Sequence, residues 1–124
     1  AVLADRPARW NLDLWGTRMQ QMDRIEHHFH PNGWVSGVYY ARVPGLVGGA
    51  GSGTRGCIEF VRHQRYGQRP VTSEFMVVPP EEGLLVLFPS YLPHRVVEFP
   101  RSELRVSLAF NAMPPEWGFH QAEV

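Results

Sequence analysis

Three things are scarce in this chain of 124 residues: cysteine, long apolar runs and an excess of either charge. The single cysteine, Cys57, cannot form an internal disulfide, which favours a reducing compartment such as the cytoplasm over secretion. No apolar run approaches the length of a membrane span and no signal peptide is visible, so we expect no membrane partner. Lys and Arg total 12, as do Asp and Glu, and this balance does not predict nucleic acid as a partner.

The length allows one domain at most, so residues 1–124 are treated as a single unit. Glycine (12) and proline (11) are spread along the chain, and no apolar pattern of helical period is long enough to predict a helix. An all-β fold is therefore expected. The predicted strands are Trp10–Trp15, Met22–His30, Val35–Val43, Gly56–Arg62, Ser73–Val78, Leu84–Phe88, His94–Phe99 and Leu104–Asn111.

Turn residues mark two connections between these strands and the end of the last strand. Residues 79–83, with two prolines and a glycine, predict a turn. Residues 44–56 hold six glycines and predict a mobile surface loop, for which a disordered connector is favoured over a lid. The tail at residues 112–124 carries Pro114 and Pro115 and is expected to leave the sheet.

Three histidines stand in a pattern that suits a metal site. His28 and His30 lie two residues apart, so in a strand they share a face with Glu26 and can chelate one ion. His94 follows the apolar strand Leu84–Phe88 and a turn. The alternative is that the pair is partly exposed on the surface and that His94 has a structural role.

The last strand separates two kinds of residue by face. The residues at 104, 106, 108 and 110 are apolar, whereas the other face carries Arg105, Ser107, Ala109 and Asn111. Facing a packed core, Arg105 would be a costly unpaired charge. Facing a cavity, Arg105 and Ser107 could hold a ligand carboxylate. The alternative is that this face is simply exposed to solvent.

Together these residues resemble the 2-oxoglutarate- and iron(II)-dependent oxygenase superfamily, whose usual order is a His-x-Asp/Glu pair, a distant His and then an Arg. Here the order is His28-x-His30, His94 and Arg105-x-Ser107. More closely, the segments HPNGWVSGVYY, GCIEF, GLLVLFPSYLPHRV and RVSLAFN are similar to those of a bacterial group of oxygenases within it. The resemblance runs from about Trp10 to Asn111. Members of this group are longer at the N-terminus, so we expect the chain to be partial there and to lack supporting helices.

The resemblance implies a double-stranded β-helix, the jelly roll shared with cupins, with His28 and His30 on the second strand, His94 on the seventh and Arg105 on the eighth. It also implies Fe(II) and 2-oxoglutarate as cofactors. The three histidines would hold the metal, and Arg105 with Ser107 would bind the far carboxylate of the 2-oxo acid. One hydroxyl of the Tyr39–Tyr40 pair would add a contact; we assign it to Tyr40, although alternation alone leaves the choice open.

The chain departs from the superfamily's pattern at the second ligand, where a histidine replaces the usual carboxylate. Either His30 completes an all-histidine triad or Glu26 supplies the carboxylate, and we favour His30 because it occupies the matching position. Three imidazoles also bind zinc, nickel and copper well.

Two other functions compete with the oxygenase. One is a cupin-type dioxygenase with three histidines and no 2-oxo acid, and the other is a metal-free jelly-roll binding module. The prime substrate, a small molecule or another class, is not identified by the sequence. The apolar face of the last strand needs a cover, either an upstream segment or a second copy of the chain in a homodimer.

Overall fold

The protein folds as two packed antiparallel sheets in a computed structural model that describes residues 8–20, 22–45, 53–61, 74–99 and 103–115. These residues form eight strands and no α-helix. One sheet has the order β1-β8-β3-β6 and the other the order β2-β7-β4-β5, which is jelly-roll connectivity and confirms the predicted fold class. The strands are β1 Asn11–Met19, β2 Ile25–His28, β3 Val35–Arg42, β4 Ile58–Val61, β5 Glu74–Val78, β6 Leu85–Pro89, β7 His94–Val96 and β8 Arg105–Met113.

Each predicted strand corresponds to an observed one, and the differences lie at the ends. The expected tail begins too early, because Ala112 and Met113 continue β8. Ala112 pairs with both Leu12 and Val35, and these ladders on two sides keep the chain in the sheet beyond the predicted end. Within the glycine-rich segment at 44–56, the part at 46–52 lies outside the described residues, so its predicted mobility stays a prediction.

The core fills the space between the sheets in two clusters. Met19, Tyr40, Val43, Val96 and Phe99 form one cluster, and Ile58, Phe60 and Phe88 form the other. Burying a large apolar side chain stabilises a fold by roughly 1.5–3 kcal/mol, so these clusters hold the sheets together. Members of both clusters also line a pocket, where they meet histidine, serine and arginine side chains.

The predicted turn at residues 79–83 is present and fixes the direction of Tyr40. Gly83 has a φ of 85°, which glycine adopts without strain, and its N–H donates to the Tyr40 carbonyl at 2.8 Å. The Tyr40 N–H in turn donates to the Leu84 carbonyl at 3.0 Å. This pairing holds the end of β3 in the register that points Tyr40 between the sheets.

The outer face of the β1-β8-β3-β6 sheet is apolar and largely exposed. Leu14, Leu87 and Leu108 are 62%, 58% and 39% exposed, respectively. The prediction that this face of β8 is covered, by an upstream segment or by a second copy, stays a prediction. Among the described residues, no helix has both the length and the apolar character needed to cross a membrane.

Candidate functional site

The jelly roll brings the three histidines to one point. His28 ends β2 and His94 begins β7, and the two residues are direct partners across these strands, with ring centroids 4.2 Å apart. His30 lies two residues beyond β2, not within it as predicted, and its backbone N–H donates to the Ser90 carbonyl at 2.8 Å. One ring nitrogen from each histidine lies within 4.8 Å of the other two. A single ion between them could reach all three.

Glu26 lies outside this cluster, contrary to the predicted alternation. The register of β2 against β7 shifts between Ile25 and His28, so these two residues, three apart, both line the pocket. The Glu26 side chain is 75% exposed and accepts a hydrogen bond from Arg24 Nε at 2.7 Å. The irregularity therefore turns the carboxylate into solvent and leaves His30 as the neighbour of His28.

Two of the three imidazoles are anchored in the same way. His28 Nδ1 lies 2.7 Å from the Glu26 carbonyl oxygen, and His94 Nδ1 lies 2.9 Å from that of Leu92. A carbonyl oxygen only accepts, so in each ring Nδ1 carries the proton and Nε2 keeps its lone pair. This is the tautomer in which Nε2 can bind a metal.

The environment of the cluster favours the neutral form of two of its rings. Burial lowers the pKa of His94 from 6.5 to about 4. Burial, followed by the proximity of His28, also lowers the pKa of His30. Metal binding requires imidazole that is not doubly protonated, and the lowered pKa values of His30 and His94 favour that form.

The same pocket contains Arg105, which is 1% exposed, so the solvent-exposed alternative for this strand face is wrong. Its Nη1 donates to the Gly56 carbonyl at 2.9 Å, and its guanidinium carbon lies 4.9 Å from the centre of the Tyr40 ring. Burial lowers the pKa of Arg105 and raises that of Tyr40. The raised pKa keeps the Tyr40 hydroxyl protonated at neutral pH, and a guanidinium keeps its charge in proteins, so both groups can donate to an anion.

Two buried hydrogen-bond donors at this end of the pocket have no partner within the described part of the chain. They are Arg105 Nε and the Tyr40 hydroxyl. A buried donor left without a partner costs about 1–3 kcal/mol, and a bound carboxylate would satisfy both.

The structure also distinguishes the two tyrosines. Tyr40 is fully buried and lines the pocket, whereas Tyr39 is 39% exposed. Ser107 is the partner of Tyr40 across β3 and β8 and is 3% exposed. Tyr40, Ser107 and Arg105 thus share one region of the pocket.

The sequence did not reveal one contact of the cluster, between His30 Nδ1 and Asn111 Nδ2 at 3.4 Å. Alternation had placed Asn111 on the same face of β8 as Arg105. Nothing in the sequence relates position 111 to position 30, because the two meet only through the folding of β8 beside β3.

Solved structures share this architecture at low sequence identity. An oxidoreductase of the 2OG-Fe(II) oxygenase family from Burkholderia pseudomallei has a TM-score of 0.62 and 18% identity, with 88% of this chain and 47% of that chain covered. A Pseudomonas putida prolyl-4-hydroxylase has a TM-score of 0.57 and 20% identity, with coverage of 84% and 52%. The chain thus spans about half the length of these two oxygenases.

A third structure, a cupin domain from Bordetella pertussis, matches over 87% of this chain and 86% of its own, with a TM-score of 0.51 and 10% identity. At such identities these likenesses show the fold alone. No curated protein matches the chain significantly.

A family model identifies the family of the chain, which the structural similarities do not. It matches residues 13–111, a range that contains His28, His30, His94, Arg105 and Ser107. The match covers most of the chain, and the chain therefore belongs to the family described as "Putative 2OG-Fe(II) oxygenase".

Proposed function

We propose that the protein is a non-haem iron(II)- and 2-oxoglutarate-dependent oxygenase, in the simplest case a hydroxylase. The observation that carries this proposal is the content of one pocket. Three imidazoles surround one point, and the same cavity holds a buried guanidinium whose Nε has no hydrogen-bond partner among the described residues. Family membership supports the same chemistry. The single cysteine supports a cytoplasmic location, which we also propose.

The residues present fit both cofactors. Three neutral nitrogen donors suit a divalent first-row ion, and a facial set of three leaves coordination positions open. The unpaired Arg105 Nε and Tyr40 hydroxyl suit a carboxylate, because a guanidinium binds a carboxylate through parallel hydrogen bonds. The buried location strengthens these contacts, since little water competes for the same donors.

In this proposal His28, His30 and His94 hold the metal, and Arg105, Tyr40 and Ser107 hold the far carboxylate of 2-oxoglutarate. Bound iron with the 2-oxo acid would supply dioxygen activation coupled to decarboxylation of the co-substrate to succinate. The protein's share is orientation and shielding. The carbonyls of Glu26 and Leu92 orient two imidazoles, the guanidinium sets the position of the co-substrate, and Phe88, 4.7 Å from the His94 ring, helps to exclude water.

The test is a spectroscopic titration without oxygen. Addition of Fe(II) and then 2-oxoglutarate is expected to produce the visible charge-transfer band of the chelate. We expect the band to be lost in His94→Ala and in Arg105→Ala, and to persist in His27→Ala, which changes an exposed histidine outside the cluster. Wild-type protein that binds Fe(II) and 2-oxoglutarate without the band would contradict the proposal.

The donor set itself favours a second candidate, a cupin-type dioxygenase that uses three histidines and no 2-oxo acid. No carboxylate belongs to the cluster within the described residues, which is unusual for a 2-oxo-acid enzyme. This candidate predicts metal binding that is indifferent to Arg105→Ala and no band with 2-oxoglutarate. The buried Arg105 favours the first proposal, because an enzyme without a co-substrate carboxylate has no need of that charge.

A further inference from the structure

A buried chain of polar side chains leads away from His30. Ser90 Oγ lies 2.8 Å from Ser36 Oγ, and Ser36 Oγ donates to Asn111 Oδ1 at 2.7 Å. The Asn111 amide nitrogen then lies 3.4 Å from His30 Nδ1. Ser36, Ser90 and Asn111 are 2%, 0% and 8% exposed, so the chain is closed to bulk water.

This arrangement makes His30 different from its two neighbours. His28 and His94 face carbonyl oxygens and keep the proton on Nδ1, whereas His30 faces an amide NH₂ group, which only donates. With Nδ1 as the acceptor, the proton of the neutral His30 ring sits on Nε2. That nitrogen then has no lone pair for a metal, so the ring is in the wrong tautomer for binding through Nε2.

We infer that Asn111 is a positioning residue whose side-chain amide turns over when a metal enters the histidine cluster, so that Oδ1 accepts from His30 Nδ1–H. This inference rests on the proposed metal site but not on 2-oxoglutarate. In the turned state His30 is anchored by an amide oxygen, as His28 and His94 are by backbone carbonyls. All three rings then present Nε2 to the ion.

The serine pair allows the hydrogen bonds along this chain to reverse their direction when the amide turns. A hydroxyl both donates and accepts, and either serine can be the donor of the Ser36–Ser90 hydrogen bond. When the Asn111 amide nitrogen faces Ser36, the Ser36 hydroxyl accepts from it and donates to Ser90. Rotation of the Asn111 amide thus exchanges one set of hydrogen bonds for another and requires no change in the backbone.

Gly33 permits this network to pack closely. A Cβ added at Gly33 would press against Ser90 Oγ and lie 3.3 Å from Asn111 Cβ. The Gly33 N–H also donates to the His30 carbonyl at 3.2 Å, which closes the turn after the metal-binding segment. The backbone turn after His30 therefore packs directly against Asn111 and Ser90.

The first test is the affinity for Zn²⁺ alone, measured by calorimetry on wild type and three variants. Asn111→Ala removes the anchor, and we expect a loss of about 10–100-fold, as is typical when a hydrogen-bond partner of a metal-binding histidine is removed. Asn111→Asp presents only acceptors and should bind zinc at least as tightly as wild type. Asn32→Asp is the control, because it adds the same charge at an exposed turn position two residues from His30.

The second measurement is the His30 tautomer, read from ¹⁵N chemical shifts of labelled imidazoles before and after zinc is added. Wild type should change from a proton on Nε2 to a proton on Nδ1. Asn111→Asp should show the Nδ1–H form without metal, because a carboxylate cannot donate. A purely structural role for Asn111 would not move this signal, and the comparison holds even if Asn111→Ala fails to fold.

The outcomes separate this inference from the proposed function. Zinc affinity in a folded Asn111→Ala within about threefold of wild type, well below the usual loss, would overturn the inference. So would zinc binding that leaves the His30 proton on Nε2, or weakened binding in Asn111→Asp. Failure of 2-oxoglutarate to bind, with an Asn111-dependent zinc site, would overturn the proposed function alone. Wild-type protein that binds no divalent metal would overturn both.

Discussion

The histidine end and the guanidinium end of the pocket are built by different means. At the histidine end, the rings of His28 and His94 are held by carbonyls two residues earlier in the chain. At the other end, Arg105 is held by the carbonyl of Gly56, 49 residues away, and lies against the ring of Tyr40 on another strand. Short-range contacts thus orient two of the three imidazoles, and long-range contacts orient the charge.

The two ends also differ in how complete they are without a ligand. Burial favours the neutral form of His30 and His94, and two of the three rings already have acceptors for Nδ1–H, so this end costs the fold little. Within the described part of the chain, the guanidinium end buries a charge that has one hydrogen bond and an Nε without a partner. The comparison indicates that two of the three imidazoles are already oriented for a metal, whereas the anion end lowers the stability of the ligand-free fold.

The largest effect is expected from His28→Ala at the metal end. This residue is only half-buried, so the variant should fold, yet zinc affinity should fall by more than about 100-fold, beyond the loss from removing a ligand's hydrogen-bond partner. Calorimetric titration measures it. Glu26→Gln is the matched control and should bind zinc as wild type does, because the Glu26 side chain points to solvent. Equal losses of zinc affinity in the two variants would show that the Glu26 carboxylate contributes to the metal site.

At the anion end, Arg105→Met should separate binding from stability. Loss of a buried charged partner costs about 2–5 kcal/mol in binding, so 2-oxoglutarate affinity of the metal-loaded protein should drop by at least 30-fold, or about 2 kcal/mol. Replacement of an incompletely paired buried charge by an apolar side chain is often neutral or stabilising. Urea unfolding of the ligand-free variant should therefore show no loss of stability. A decrease of more than about 2 kcal/mol in the free energy of unfolding would show that Arg105 stabilises the ligand-free fold.

Acid should weaken the metal-free protein through its histidine end. The pKa of His94 is about 4 in the fold and near 6.5 when unfolded, so between these pH values the unfolded chain binds more protons. The free energy of unfolding should then fall as pH drops from 6.5 towards 4, by up to about 3 kcal/mol, and the His94 contribution should level off below pH 4.

Urea titrations across this pH range measure the slope. In His94→Gln the slope should be smaller but not absent, because the lowered pKa of His30 acts in the same direction. An unchanged slope in the variant would show that His94 does not carry this pH dependence.

The smallest effect is expected from Tyr40→Phe. The hydroxyl has no hydrogen-bond partner within the described residues, so its removal should leave the free energy of unfolding unchanged or slightly raised. Affinity for 2-oxoglutarate should fall by about 2- to 12-fold, the equivalent of one hydrogen bond worth about 0.5–1.5 kcal/mol. Tyr39→Phe, at an exposed position, is the control and should change neither quantity. Loss of stability in Tyr40→Phe would show that the hydroxyl already has a partner.

Much of the fold was predictable because strand signals are local. Alternation and turn residues predicted the eight strands of the described residues, and on β8 they placed Arg105 and Ser107 on one face, which in the structure lines the pocket. Local patterns failed where a neighbouring strand changed the geometry. The register shift against β7 turned Glu26 outward, and pairing with β1 and β3 extended β8 beyond its predicted end.

The amino-acid sequence by itself determined which groups are available: three imidazoles, one guanidinium on an otherwise small and polar strand face, and turns that stop the strands beside them. Only the tertiary structure decided that His30 and not Glu26 stands next to His28, and that Tyr40 and not Tyr39 meets Arg105. It alone brought Asn111 to His30. The physical reason is that side-chain alternation is a property of one strand, whereas register, bulges and burial arise from pairing between strands distant in the chain.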